Sequence, residues 1–154
     1  MLCIASMEAA MLANLQTEYA HAAVRPQTFA LENDHERLTP AALAAMRMLA
    51  RQWQLTGQDA AQLLGVSAST WDRIQANHWR SSLSQDQLTR ASALIGTFKA
   101  LNLLFADDMA NRWPKLSNQG PLFVGQSPVK TMLDGGIPMM IEVRRYVDAL
   151  RGGL

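Results

Sequence analysis

The chain has 154 residues, of which 49% are hydrophobic and 18% are charged, and its net charge at neutral pH is +1. This balance predicts a folded globular protein and excludes disorder along the whole length. The single cysteine, Cys3, excludes an intramolecular disulfide and a cysteine-based zinc site. The N-terminus lacks the basic start of a secretion signal, and no apolar run reaches membrane-spanning length. We therefore expect a protein of the reducing cytoplasm.

The first predicted segment covers residues 1–36. An amphipathic helix is expected from Met7 to Tyr19, with an apolar stripe formed by Met7, Met11, Leu12 and Leu15. The polar stretch from Arg25 to Asp34 contains Pro26 and is typical of a linker. Thr39-Pro40 then combines a capping residue with a proline at the first helical position, which predicts the start of a second helix.

Residues 57–77 predict two short helices joined by a Gly-Val-Ser turn, which is the layout of a DNA-binding helix-turn-helix. Thr56 can cap the first helix, and either Ser67 or Ser69 can cap the second. Gly65 supplies the left-handed conformation that ends the first helix. Trp71 and Ile74 are three residues apart and give the second helix an inward face.

The opposite face of this segment is polar and suits contact with phosphates or base edges. Its candidate DNA-binding residues are Gln58, Ser67, Ser69, Thr70, Asp72, Arg73, Asn77 and Arg80. Residues 37–80 also hold five arginines and two aspartates, whereas residues 1–36 hold one arginine and five carboxylates. This cationic excess has the expected sign but is modest, so we expect a homodimer on DNA. An ordinary helical hairpin that never meets DNA is the competing interpretation.

The chain changes character around residues 78–82, where we expect a hinge. Ser84-Gln85-Asp86-Gln87 is a capping-box pattern that begins a long helix, and Asp107 can cap a short helix that ends near Trp113 because Pro114 follows. A further short helix is expected from Ser127-Pro128 to Gly135-Gly136. The last helix is expected from Ile137-Pro138 to Gly152-Gly153. Strand signals are nearly absent, so the predicted fold class is all-α.

Catalytic chemistry has no candidate constellation in this sequence. His21, His35 and His78 are scattered and lack metal-ligand spacing. The paired glycines end helices and do not follow strands, as a phosphate-binding loop requires. We expect no enzymatic activity, no metal and no cofactor.

Residues 83–154 carry an ordered set of features that resembles the toxin-binding domain of the Xre/MbcA/ParS antitoxin family. The matching residues are Arg90, Ala91, Ile95, Leu103-Leu104-Phe105, Ala110, Trp113, the Phe123 to Pro128 stretch, Leu133, Gly135-Gly136, Val143-Arg144-Arg145-Tyr146 and Arg151-Gly152-Gly153. The helix-turn-helix at about 39–80 extends the resemblance upstream. It divides the chain into an N-terminal helix and linker (1–36), an Xre-like helix-turn-helix domain (37–82) and a toxin-binding domain (83–154).

The resemblance implies an antitoxin that neutralises a RES-domain toxin, which uses NAD, and that represses their shared operon by binding operator DNA. The toxin-binding candidates are Arg144, Arg145, Asp148, Arg151, Gly152, Gly153 and Leu154. Arginines suit pairing with carboxylates or phosphates, and Gly-Gly lets the backbone approach a partner closely. A solvated helix end whose cations favour the helix dipole is the alternative for this tail. For the whole chain, the alternative is a stand-alone regulator whose C-terminal half only dimerises or senses a ligand.

Overall fold

The structure, a computed structural model, describes residues 27–152, which form six α-helices, one short 3-10 helix and no strand. The helices are α1 (Glu32–Gln52), α2 (Gly57–Leu64), α3 (Ala68–Gln75), α4 (Gln85–Leu104), α5 (Asp107–Arg112) and α6 (Pro128–Arg151), with the 3-10 helix Trp113–Lys115 between the last two. The predicted all-α class is confirmed for this part of the chain. The helix expected from Met7 to Tyr19 lies outside the described residues, as do Gly153 and Leu154. No helix between residues 27 and 152 combines the length and apolarity that a bilayer crossing needs.

Side-chain caps begin four of the six described helices, α2, α3, α4 and α6, as the sequence predicts. The Thr56 hydroxyl accepts a hydrogen bond from the Asp59 amide (3.0 Å) at the start of α2. Ser67 caps α3, since its hydroxyl accepts from the Thr70 amide at 3.1 Å, and this decides between the two serines that the sequence left open. At the start of α4, Ser84 and Gln87 form the expected capping box. These caps satisfy amide groups that a helix start otherwise leaves unpaired.

The start of α1 corrects one prediction. The helix begins at Glu32, seven residues before Thr39, so the linker expected up to Asp34 is shorter and Pro40 lies inside the helix. The Thr39 hydroxyl does not cap the helix: it donates to the His35 carbonyl and accepts from the Leu83 amide at 2.8 Å. Pro40 has no amide proton to donate to the carbonyl four residues earlier, yet the helix continues through it.

One hydrophobic core joins the two halves of the described chain, because α4 packs against both α1 and α6. The position near residue 82, where a hinge is predicted, lies directly beside this core. Leu83 is fully buried, and its backbone amide is the group that bonds to Thr39 on α1. A segment anchored in this way cannot act as a free joint without breaking core contacts.

The C-terminal helices follow the sequence with two adjustments. Asp107 is the first residue of α5 and does not cap it, and Trp113 with Pro114 continues as the 3-10 helix. The two helices predicted around Gly135-Gly136 lie end to end within α6, which is kinked at Gly136 (φ 63°, ψ −151°). Only glycine adopts this backbone conformation readily, so the break predicted from the glycine pair is present as a kink.

Candidate functional site

The α2–α3 pair has the geometry of a helix-turn-helix. Gly65 ends α2 with φ +79°, and the chain turns directly into the cap of α3. Trp71 and Ile74 are fully buried, which fixes the orientation of α3 against α1 and α2. The candidate DNA-binding residues consequently lie on the outer side, where all but half-buried Thr70 are exposed.

The hydroxyl groups at the start of α3 bond to one another. The Ser67 hydroxyl lies 3.1 Å from that of Ser69 and donates to that of Thr70 at 3.0 Å. Arg73 donates to the Thr70 hydroxyl from the next turn, at 3.3 Å. Because Ser67 also caps the helix, its primary role is structural. Ser69 and Arg73 are better placed to contact a ligand.

Trp79 supports the Arg73 guanidinium, a contact that the sequence analysis missed. The guanidinium carbon lies 5.4 Å from the centre of the Trp79 ring, within cation–π range. The half-buried ring follows α3 in an irregular segment with no periodic pattern to mark it. This contact, together with the hydrogen bond to Thr70, restricts an otherwise flexible arginine.

The end of α3 is tied to α1 by Arg47, which the sequence analysis also missed. Arg47 donates to the Ile74 carbonyl (3.1 Å) and to the Asn77 side-chain oxygen (3.3 Å). Asn77 itself adopts the left-handed conformation (φ 58°), and its carbonyl accepts from Arg80 at 2.7 Å. Asn77 and Arg80 thus shape the turn after α3 while remaining exposed.

The candidate toxin-binding residues divide into two groups. Arg144 belongs to the packing of α6 on α4: it donates to the Ser92 carbonyl (3.3 Å), and a Cβ added at Gly96 would lie 2.5 Å from its guanidinium. Arg145, Asp148 and Arg151 lie in the last two turns of α6, where Arg145 pairs with Glu142 at 2.6 Å. Asp148 lies 3.8 Å from both Arg144 and Arg151.

These ion pairs are partly exposed, so they contribute little to stability and can exchange for pairs with a partner. Gly152 follows as the exposed C-cap of α6.

Aromatic contacts hold the loop that precedes α6. Phe123 is fully buried and meets Trp113 and Tyr146 edge-on, with ring centres 5.7 Å and 5.1 Å apart. Trp113 is therefore a packing residue. Between residues 27 and 152, no three side chains of the metal-binding types come together.

Comparison with known proteins agrees with this geometry. The protein is similar to "Uncharacterized protein y4oB" of Sinorhizobium fredii (strain NBRC 101917 / NGR234), with 34% identity over 118 residues that cover 74% of this chain and 87% of the relative. Residues 34–96 match the family described as the antitoxin Xre-like helix-turn-helix domain. The chain belongs to the Xre-like antitoxin family.

The family match starts in α1 and ends within α4, so it contains every candidate DNA-binding residue. It also runs across residue 82, where the sequence analysis placed a domain boundary. Membership identifies this Xre-like antitoxin as a DNA-binding antitoxin or regulator.

Proposed function

We propose that this Xre-like antitoxin binds the operator of its own operon as a homodimer, represses transcription and neutralises a RES-type, NAD-using toxin by direct contact. The observation that carries the proposal is the exposed polar face of α3 on a helix-turn-helix that lies inside the family match. The antitoxin class supplies the second activity, and the C-terminal half (83–154) is its proposed location.

In the DNA-binding role, α3 lies in the major groove and presents Ser69, Thr70 and Arg73 to base edges. An arginine forms two parallel hydrogen bonds with guanine, and the stack on Trp79 holds Arg73 ready for this geometry. Gln58, at the exposed start of α2, and Arg80 contact phosphates. Asp72 and Asn77 line the edge of the same face. One copy offers few cations, so two copies on adjacent half-sites supply the affinity.

Replacing Arg73 with Ala tests the DNA-binding role. The probe is the DNA directly upstream of the antitoxin reading frame, titrated at fixed salt. We expect a loss of about 1–3 kcal/mol in binding free energy, which is the value of one bidentate base contact. Arg37→Ala is the matched control, because Arg37 lies on α1 and pairs with Asp34. Equal affinity in the parent and the Arg73 variant would reject the assignment of α3 as the reading helix.

In the toxin-binding role, the end of α6 contacts the toxin through Arg144, Arg145, Asp148 and Arg151, followed by Gly152, Gly153 and Leu154. A tail that enters a cleft for NAD excludes the dinucleotide by filling its space, and arginines on that tail can pair with carboxylates of the toxin. The exposed pairs around Asp148 keep these arginines near the tip until a partner carboxylate or ligand site competes for them. Arg144 acts mainly by positioning α6 against α4.

Deleting residues 151–154 tests the toxin-binding role. The truncated and full-length proteins are mixed at matched concentrations with the protein encoded beside the antitoxin, and NAD consumption is followed. We expect at least a tenfold weaker inhibition with unchanged DNA binding, because exposed Arg151 and Gly152 lie past the last buried turn of α6. Lys130→Gln, at the far end of α6, is the surface control.

Full inhibition by the truncated chain would move the toxin contact upstream of residue 151. Failure of the two proteins to co-elute after co-expression would instead favour a stand-alone regulator.

A further inference from the structure

A polar cleft of about 400 Å³ lies apart from α3, between the end of α1 and the segment formed by α5 and the 3-10 helix. Three cations line it: Arg51 from α1, Arg112 from α5 and Lys115 from the 3-10 helix. Asp108 is the one carboxylate among its lining residues, and it pairs with Arg112 at 3.3 Å. The cleft therefore carries an excess of positive charge in a protein whose net charge is only +1.

Two hydrogen bonds hold the walls of this cleft together across a long stretch of sequence. The Asn111 side-chain amide donates to the side-chain oxygen of Gln52 (3.0 Å). The Lys115 ammonium donates to the backbone carbonyl of Gln54 (2.9 Å). These bonds place cations from the C-terminal half directly against the loop that leads into the helix-turn-helix.

The position of Gln54 connects the cleft to the DNA-facing side. Gln54 lies three residues before Gly57, where α2 begins. In a helix-turn-helix bound to DNA, the first helix crosses the phosphate backbone, and a helix start favours anions through its free amides and its dipole. An ammonium group bonded to the Gln54 carbonyl is consequently beside the part of the motif that meets phosphates.

Helix-end electrostatics explain part of this cluster but not all of it. Arg51 and Arg112 lie in the last turns of α1 and α5, where cations are favourable in any helix. Lys115 is different, because it reaches across to a carbonyl of another segment and brings a third positive charge to the same cleft. Three cations on two separate segments match the repeating negative charge of a nucleic-acid backbone.

We propose that this cleft binds backbone phosphates of the DNA that flank the base pairs contacted by α3. The Xre-like antitoxin then holds DNA with both halves of the chain, Arg51 from the helix-turn-helix and Lys115 from the region assigned to the toxin. This inference rests on the proposed DNA-binding function and extends its footprint by a site that needs no base sequence.

The test compares the salt dependence of DNA binding between Lys115→Gln, Arg51→Gln and the parent, using a 30-base-pair duplex of arbitrary sequence. Each lost phosphate contact lowers the slope of log affinity against log salt by about 0.9, so the affinity ratio between about 50 and about 200 mM salt falls roughly 3.5-fold. Lys115→Arg keeps the charge and should keep the parent slope. Lys99→Gln is the matched control, since exposed Lys99 lies on α4 away from the cleft.

The outcomes separate this inference from the proposed function. Slopes reduced by the two glutamine variants at unchanged melting temperature support the cleft. Parent-like slopes in both variants overturn the proposal for the cleft only. The proposed function is tested separately, by Arg73→Ala on the operator. An equal reduction of the slope in Lys99→Gln also overturns the proposal for the cleft, because the slope would then depend on net charge and not on the position of the cation. A parent chain that binds neither this duplex nor the DNA upstream of the reading frame overturns both DNA-binding proposals.

Discussion

At the scale of single residues, Gly65 shows how one backbone conformation builds the DNA-facing surface. Its left-handed φ of +79° ends α2, and the chain then turns into α3 without a longer loop. Side chains other than glycine pay a steric penalty there, because their Cβ approaches the following carbonyl oxygen. The Cβ of any such residue would also lie 3.0 Å from the Nε of Arg90, and the Nη1 of this arginine donates to the Leu63 carbonyl.

Replacing Gly65 with Ala should therefore lower the free energy of unfolding by about 1–2 kcal/mol. The matched control is Gly57→Ala, whose new Cβ would lie 3.7 Å from the Trp71 ring at ordinary contact distance and with normal backbone angles. The free energy of unfolding of that control should lie within about 0.5 kcal/mol of the parent value or above it, because alanine favours helices. Urea unfolding of the two variants gives the comparison, and equal stabilities would contradict the proposed turn.

Residues whose roles depend on neighbours in sequence were predictable, and those that depend on distant partners were not. Thr56, Gly65 and Ser84 act on groups within four residues, so their spacing identifies them. The contacts of Arg47 with Asn77 span 30 residues, and no local pattern signals them. The ring of Trp79 under Arg73 is missed for the same reason, since it follows a helix end with no periodicity.

At the scale of elements, the early start of α1 shows a cap-like pattern overridden by tertiary contacts. Thr39-Pro40 looks like a helix start, yet the preceding turns also have helix-favouring features, with Glu32 and Asp34 at the positive end of the helix. The Thr39 hydroxyl is used to join α1 to the beginning of α4 through the Leu83 amide. The sequence predicts both elements but not this bond, because its partners are 44 residues apart.

Replacing Thr39 with Val keeps the side-chain shape and removes this acceptor. The buried Leu83 amide then has no partner, which should lower the free energy of unfolding by about 1–3 kcal/mol. Thr89→Val is the matched control: Thr89 is half-exposed and only donates to Gln85 within α4, so a change below about 0.5 kcal/mol is expected. Chemical denaturation measures both, and a Thr39 variant as stable as the control would show that the bond contributes little.

At the scale of the whole molecule, the described chain has one core, although the sequence suggests a DNA-binding part and a toxin-binding part. The composition of the chain changes near residue 82, but composition does not reveal that α4 packs against α1 as well as α6. Both proposed functions are therefore assigned to surfaces of one packed unit. The family match, which runs from residue 34 to residue 96, follows this packing and not the predicted boundary.

A shared core predicts one cooperative unfolding transition. Three of the four tryptophans lie within residues 37–82, so fluorescence weights that part of the chain, whereas far-ultraviolet circular dichroism reports on all helices. The two urea unfolding curves should coincide, as two-state behaviour requires. Two separated midpoints would restore the division into independent domains at residues 37–82 and 83–154.

The bond between Thr39 and Leu83 has a further consequence for the exchange of backbone protons with solvent. Amides in irregular segments usually exchange quickly, because brief local motions expose them. The Leu83 amide lies between helices, yet it is buried and bonded to a side chain on α1. Its proton reaches water only when α1 and the start of α4 separate. One loop amide thus records the opening of the contact that links α1 to the start of α4.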